Sequence, residues 1–167
     1  MEESKIAIII GVLALCTALY ALFAKAGKAD VPLSGNETIS RPLQLQAYER
    51  LVTLCERMSL PNLISRVNQP SLSAREMQLV LVESIRQEFE YNISQQVYVS
   101  TLSWDAVRNL RDQTVLVINQ ISNGLEGEAK ANDLNKRLLE VILDQHGKAL
   151  HTIVLETLNY EAKQLMV

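Results

Sequence analysis

Residues 73–100, SAREMQLVLVESIRQEFEYNISQQVYVS, decide the fold. Ser73 and Glu76 stand three residues apart ahead of an apolar repeat. At that spacing a serine hydroxyl and a glutamate carboxylate satisfy opposite backbone donors in a helix's first turn. Met77, Val80, Leu81, Ile85 and Phe89 then recur at three- and four-residue steps, the signature of one buried helical face. The pattern predicts a helix running to about Gln96. Residues 97–101, VYVST, are rich in β-branched side chains and predict a brief extended connector with no evident strand partner.

The helical period continues on both sides. Upstream, Ser40 is a suitable cap and Pro42 is tolerated in a first turn. Leu43, Ala47, Leu51, Leu54 and Met58 form the inner stripe, widened by Tyr48, Val52 and Cys55. That helix should stop by Leu60-Pro61, because a residue before proline resists the α region. A short turn over residues 62–67 follows. Downstream, Ser103 can cap a third helix that holds Trp104, Val107, Leu110 or Arg111, Thr114, Ile118 and Ile121, ended by Asn123-Gly124. A fourth helix is expected over residues 128–145 with Leu134, Leu138, Val141 and Ile142 inward. A fifth should run from Lys148 to about Met166 on Leu150, Ile153, Val154, Leu158, Ala162 and Leu165. One long helix kinked at Gly147 is the alternative to that pair. The expected class is all-α, a four- to five-helix bundle over residues 40–167.

Ahead of the bundle lie a tail (residues 1–5), an uncharged run (6–24, IAIIIGVLALCTALYALFA) and a Gly, Pro and Ser-containing linker (25–39). A helix over the run reaches about 28 Å, the thickness of a bilayer's hydrocarbon core. A single transmembrane helix is therefore expected, with the lipid bilayer as its partner. The rival is a cleaved signal peptide, which Ala24-Lys25-Ala26 could imitate, but the leader is more acidic than basic and the apolar run exceeds the usual length. Lys25 and Lys28 outnumber Lys5, which favours a cytoplasmic body. Ala7, Gly11, Ala14, Ala18 and Ala21 alternate at four- and three-residue steps, a candidate seam for helix association within the membrane.

The whole chain carries 16 Lys and Arg against 19 Asp and Glu, with the signs interspersed. No basic patch makes an electrostatic case for nucleic acid. The two histidines, His146 and His151, are five residues apart and point in directions that cannot share a metal. Asp144 and His151 share a face but stand about 10 Å apart along a helix axis. Cys55 falls on an inner stripe, where a thiol acts as a small hydrophobe. No Gly-rich loop follows a strand, so no phosphate cradle or dinucleotide fingerprint is present. No cofactor, metal or catalysis is expected. Asn36-Glu-Thr38 and Asn92-Ile-Ser94 match the glycosylation pattern without further support.

The least ordinary surface lies within residues 87–100. Glu88, Asn92, Gln95 and Gln96 neighbour one another on a helix, flanked by Tyr91 and Tyr98, and could hydrogen-bond a partner peptide or subunit. The plainer reading is a helix end whose amides meet water or fasten the following loop. Leu79, Val82 and Ile93 lie off the inner stripe, as they would beneath another helix.

The segments LQLQAYERLVTLCER (43–57), LPNLISR (60–66), SAREM (73–77), EFEYNISQQVYVS (88–100) and LNYEAK (158–163) together resemble a family of uncharacterised bacterial proteins. These have one amino-terminal span and a helical body, and the resemblance covers nearly the whole chain. It implies a bacterial inner-membrane protein and carries no activity. The leading function is thus a membrane-tethered interaction or scaffold module, binding an unknown protein or itself. The alternatives are an accessory subunit of a larger membrane complex, or a ligand-binding or enzymatic domain. The last would have a pocket near the end of the second long helix, lined by Glu88, Tyr91, Trp104 or Arg108.

Overall fold

A computed structural model of the chain describes residues 37–143 and 150–166. Their elements are α1 (Glu37–Met58), α2 (Leu60–Val67), α3 (Ala74–Tyr91), a 3-10 helix (Ile93–Val97), α4 (Thr101–Asn123), α5 (Ala131–Leu143) and α6 (Leu150–Gln164). Among the described residues there is no strand, and no helix is long and apolar enough to cross a membrane. Residues 1–36 lie outside the described residues. So do the expected span over 6–24, its seam at Ala7, Gly11, Ala14, Ala18 and Ala21, and nearly all of the linker. The junction at Gly147 is also outside them.

Helix α3 is the hub. Its start is the capping box read from the sequence. The Ser73 hydroxyl accepts from the Glu76 backbone N–H at 3.2 Å, and Glu76 Oε2 accepts from the Ser73 N–H at 2.9 Å. Met77, Leu81, Ile85 and Phe89 are buried along one side, where α3 meets α4 and α5. The N-termini of α3 and α5 are laced together by Ala74 N–H to Ala129 C=O and Ala131 N–H to Leu72 C=O, both 2.9 Å, around an isolated Ser73–Lys130 bridge. One contiguous core follows, with Leu51, Leu54 and Met58 of α1, Leu63 of α2, Val107 and Ile118 of α4, Leu134 and Leu138 of α5, and Leu158 of α6. Phe89 and Trp104 add a tilted ring pair with centroids 5.2 Å apart.

Several boundaries differ from the sequence expectation, each for a local reason. α1 begins at Glu37 rather than Ser40, so Pro42 lies inside the helix. Its fixed φ suits the helix, but its ring withholds one backbone donor and crowds the carbonyl one turn back. The break before α2 falls at Ser59, with ψ of 134°, leaving Leu60 and Pro61 in the first turn of α2. α3 ends at Tyr91 instead of continuing to Gln96, because the chain tightens into the 3-10 helix after Asn92. The 97–101 segment is not an extended connector: Tyr98 has helical angles, and Ser100 is extended because it caps α4. Ser100, not Ser103, is that cap, accepting the Ser103 N–H at 3.0 Å.

α4 stops at Asn123 before Gly124 as expected, and the φ of −87° at Gly124 requires no left-handed glycine. α5 starts at Ala131, not 128, since Asp133 Oδ2 takes the Lys130 N–H at 2.9 Å and sets the first turn there. In the stripes, Leu43, Leu150 and Ile153 are exposed rather than inward. Leu43 lies near the start of α1. On α6 the buried set is Val154, Leu158 and Ala162, spaced at four residues, which turns Ile153 away from the core.

Candidate interaction groove

Between α1 and α3 runs an open groove of about 760 Å³, with α2 closing one end. Its charge is organised on Glu88. Arg57 donates through Nε at 2.8 Å and Nη2 at 2.5 Å to Glu88 Oε1, and Arg66 Nη1 donates to the same oxygen at 2.6 Å. Arg66 Nη2 also reaches the Arg57 carbonyl at 3.2 Å. The bonds from Arg57 hold the Glu88 carboxyl below its ordinary range, against the opposing effect of burial. Arg50 lies 5.4 Å over the Tyr91 ring farther along.

The residues singled out on and around the end of α3 have definite places. Glu88, Tyr91 and Asn92 line this groove at the end of α3. Asn92 is buried and its side-chain amide donates to the Glu88 carbonyl at 2.9 Å, so it fastens the helix end. Gln95 is also buried, on the 3-10 helix, while Gln96 and Tyr98 are exposed away from the groove lining. Trp104 and Arg108 do not line it. Trp104 stacks in the core against Phe89, and Arg108 pairs with Asp105 at 2.8 Å. Leu79 and Ile93 are exposed, and Val82 is half-buried beside Phe89 and Arg111.

Beside the groove, the chain from Tyr91 to Leu102 leaves large apolar side chains uncovered. Tyr91 and Val97 are each 75% exposed and Leu102 is 66% exposed, with Ile93 and Tyr98 less so. These side chains lie on and beside the 3-10 helix.

The sequence reading missed a second polar cluster. Glu161 Oε2 of α6 accepts from Tyr48 Oη of α1 at 2.6 Å, and from Ser100 Oγ and Ser103 Oγ of α4 at 2.6 and 2.8 Å. Tyr48 Oη in turn accepts the Ser100 N–H at 3.2 Å. Burial raises the Glu161 carboxyl, but the hydrogen bonds from Ser100, Tyr48 and Ser103 outweigh it and hold it below 4.5. The Tyr48 phenol is pushed up by burial and by its bond to the same carboxylate. A carboxylate at the N-terminus of α4 also meets the positive end of that helix. The Ser100-x-x-Ser103 spacing was visible in the sequence, whereas the partner sixty residues on was not. Gln78 is a third such tie: buried on α3, it donates to Asn119 at 2.6 Å and accepts from Ser122 at 2.9 Å, both on α4.

The Cys55 thiol is fully buried and pushed up to about 12, chiefly by burial, so almost none is thiolate at neutral pH. Among the described residues no group of three His, Cys, Asp or Glu side chains is placed to hold a metal ion. His151 lies 3.7 Å from Glu56, and His146 is outside the described residues.

A small all-helical domain tied together by buried polar clusters is the class the fold defines. Residues 4–165 match the family described as a family of unknown function (DUF7935), and the chain belongs to it. No curated protein and no solved structure matches the chain.

Proposed function

We propose that the protein is a membrane-tethered helical interaction module without catalytic activity of its own. The observation that carries the reading is the run of large apolar side chains left uncovered close together between Tyr91 and Leu102. Clustered large apolar side chains on a small domain mark a surface that another protein covers. The 3-10 helix offers them on a short turn between two fastened helix ends, with Asn92 bonded back to the end of α3 and Ser100 capping the start of α4. The tether is supported by the uncharged run over residues 6–24, and the cytoplasmic placing of the body by Lys25 and Lys28 just beyond it. On this reading the site of action is a bacterial inner membrane, and the helical body presents its surface to a partner in the same membrane or beside it.

The test is fractionation followed by capture. The full chain is expected in the membrane pellet through an alkaline wash, and in solution after mild detergent. Crosslinking in native membranes is expected to yield a defined partner or oligomer, and Val97→Glu with Leu102→Glu should abolish it while leaving the circular dichroism unchanged. A mature amino terminus after Ala26, or release without detergent, overturns the tether. Crosslinking that returns monomer alone overturns the interaction.

A further inference from the structure

From the charge arrangement of the α1–α3 groove we infer that it is the docking site for an acidic segment of the partner protein, with Arg57 and Arg66 gripping a carboxylate. This assigns a partner chemistry to the interaction module proposed above and rests on that reading.

Three features point the same way. First, the two guanidiniums share one oxygen of one carboxylate, so this cluster keeps a net positive charge. Second, the acid sits behind the cations. The Glu88 side chain is 18% exposed, whereas those of Arg57 and Arg66 are 47% and 32% exposed. Glu88 therefore braces both guanidiniums without neutralising both. Arg57 spends Nε and Nη2 on it, and Arg66 spends Nη1 on it and Nη2 on the Arg57 carbonyl. That leaves Arg57 Nη1 among the donors that a second carboxylate can take, on a side chain already held in place. Arg57 holds the Glu88 carboxyl below its ordinary range, so the brace is charged at neutral pH.

Third, the remaining lining chooses among anions. Glu49 and Glu88 are set against Arg50, Arg57 and Arg66, which leaves the lining a small net positive charge suited to spaced carboxylates rather than to the dense charge of a nucleic acid or polyphosphate strand. Gln46, Gln87 and Thr53 offer amide and hydroxyl groups suited to the main chain of an extended peptide. Leu54 is the one aliphatic side chain in the lining, too little for a lipid's acyl chains.

The full chain in non-ionic detergent is titrated into a fluorescein-labelled peptide of alternating Glu and Gly, and into the matched Gln and Gly peptide, at low salt, with anisotropy as readout. The acidic peptide is expected to saturate and the amide peptide not to bind. Arg57→Gln with Arg66→Gln should weaken binding by about tenfold or more, the scale of losing charge-assisted contacts. Glu88→Gln keeps the shape and one acceptor oxygen, and both arginines use a single oxygen. It removes the competing charge, so it should hold the arginines in place and tighten binding by about three- to tenfold.

That second variant keeps the inference falsifiable even where the double arginine variant disturbs the fold. Equal binding of the two peptides, no saturable binding of either, or indifference to Glu88→Gln overturns it. Inorganic phosphate displacing the peptide at equal concentration also overturns it, reassigning the site to small anions. Should the Val97 and Leu102 variants abolish partner capture while the acidic peptide fails to bind, this inference falls and the interaction module stands.

Discussion

At the scale of single residues, Glu161 does the most with one side chain. It closes a network between α1, α4 and α6 that no local pattern announces, and its partners lie 113, 61 and 58 positions away in the chain. Glu161→Gln keeps the volume but loses the charge that all three hydroxyls address. A loss of about 1–2 kcal/mol is expected from hydrogen bonds to a charged acceptor in a partly solvated place, read by urea unfolding. The pH dependence has a definite sign. The folded carboxyl titrates below the 4.5 of an ordinary glutamate, so its stabilising contribution is complete above that value and disappears as the pH falls through the folded value. The acid limb of a plot of Tm against pH should therefore be shallower for Glu161→Gln. A residual slope is expected from Glu88, which is shifted in the same direction. Cys55 gives a second test. In a Cys16→Ser background its thiol should resist aromatic disulfide reagents at pH 8 and react fully in denaturant, at a rate that follows opening of the core.

At the scale of elements, helix ends mattered more than helix interiors. The α3 start was legible because its capping box lies within four consecutive residues and needs no distant partner. Ser73→Ala should cost about 1 kcal/mol, measured as a lowered urea midpoint with an unchanged m-value. The α4 start was misread by one turn because Ser100 and Ser103 are both plausible caps. Tyr48 favours Ser100 by accepting its N–H from outside the helix, whereas Glu161 engages both serines. α5 shows the same effect: lacing of its N-terminus to Leu72 holds the start at Ala131 although the residues before it are helix-competent. The polar stretch after Glu88 divided similarly. Asn92 and Gln95 went inward to finish α3 and seat the 3-10 helix, leaving Glu88 and Tyr91 with Asn92 in the groove. The Asn92 amide is engaged with the Glu88 carbonyl, which removes the glycosylation reading of Asn92-Ile-Ser94.

At the scale of the whole molecule, one core joins the six described α-helices, and most side chains at its centre are those of the expected stripes. Leu158 is fully buried on α6, the last helix to be added and one connected through its core contacts with α4. Leu158→Ala should destabilise by about 2–5 kcal/mol, from lost transfer energy together with the cavity left behind. Equilibrium unfolding should remain a single transition if α6 belongs to the same cooperative unit as α3 and α4, with far-ultraviolet dichroism and Trp104 fluorescence coinciding. Membership of a family whose profile covers residues 4–165 means that the amino-terminal run and the helical body occur together as one unit of sequence.

What the sequence determined by itself is local: the helical class, the α3 capping box, most of each inner stripe, and an uncharged run of membrane-spanning length. These depend on spacings within a few residues, where backbone geometry leaves few choices. The tertiary structure alone decided which serine caps α4, which way α6 turns, and that Arg57, Arg66 and Glu88 meet in one groove. Those outcomes depend on side chains brought together from distant parts of the chain, and no periodicity within a helix encodes which neighbour it will face.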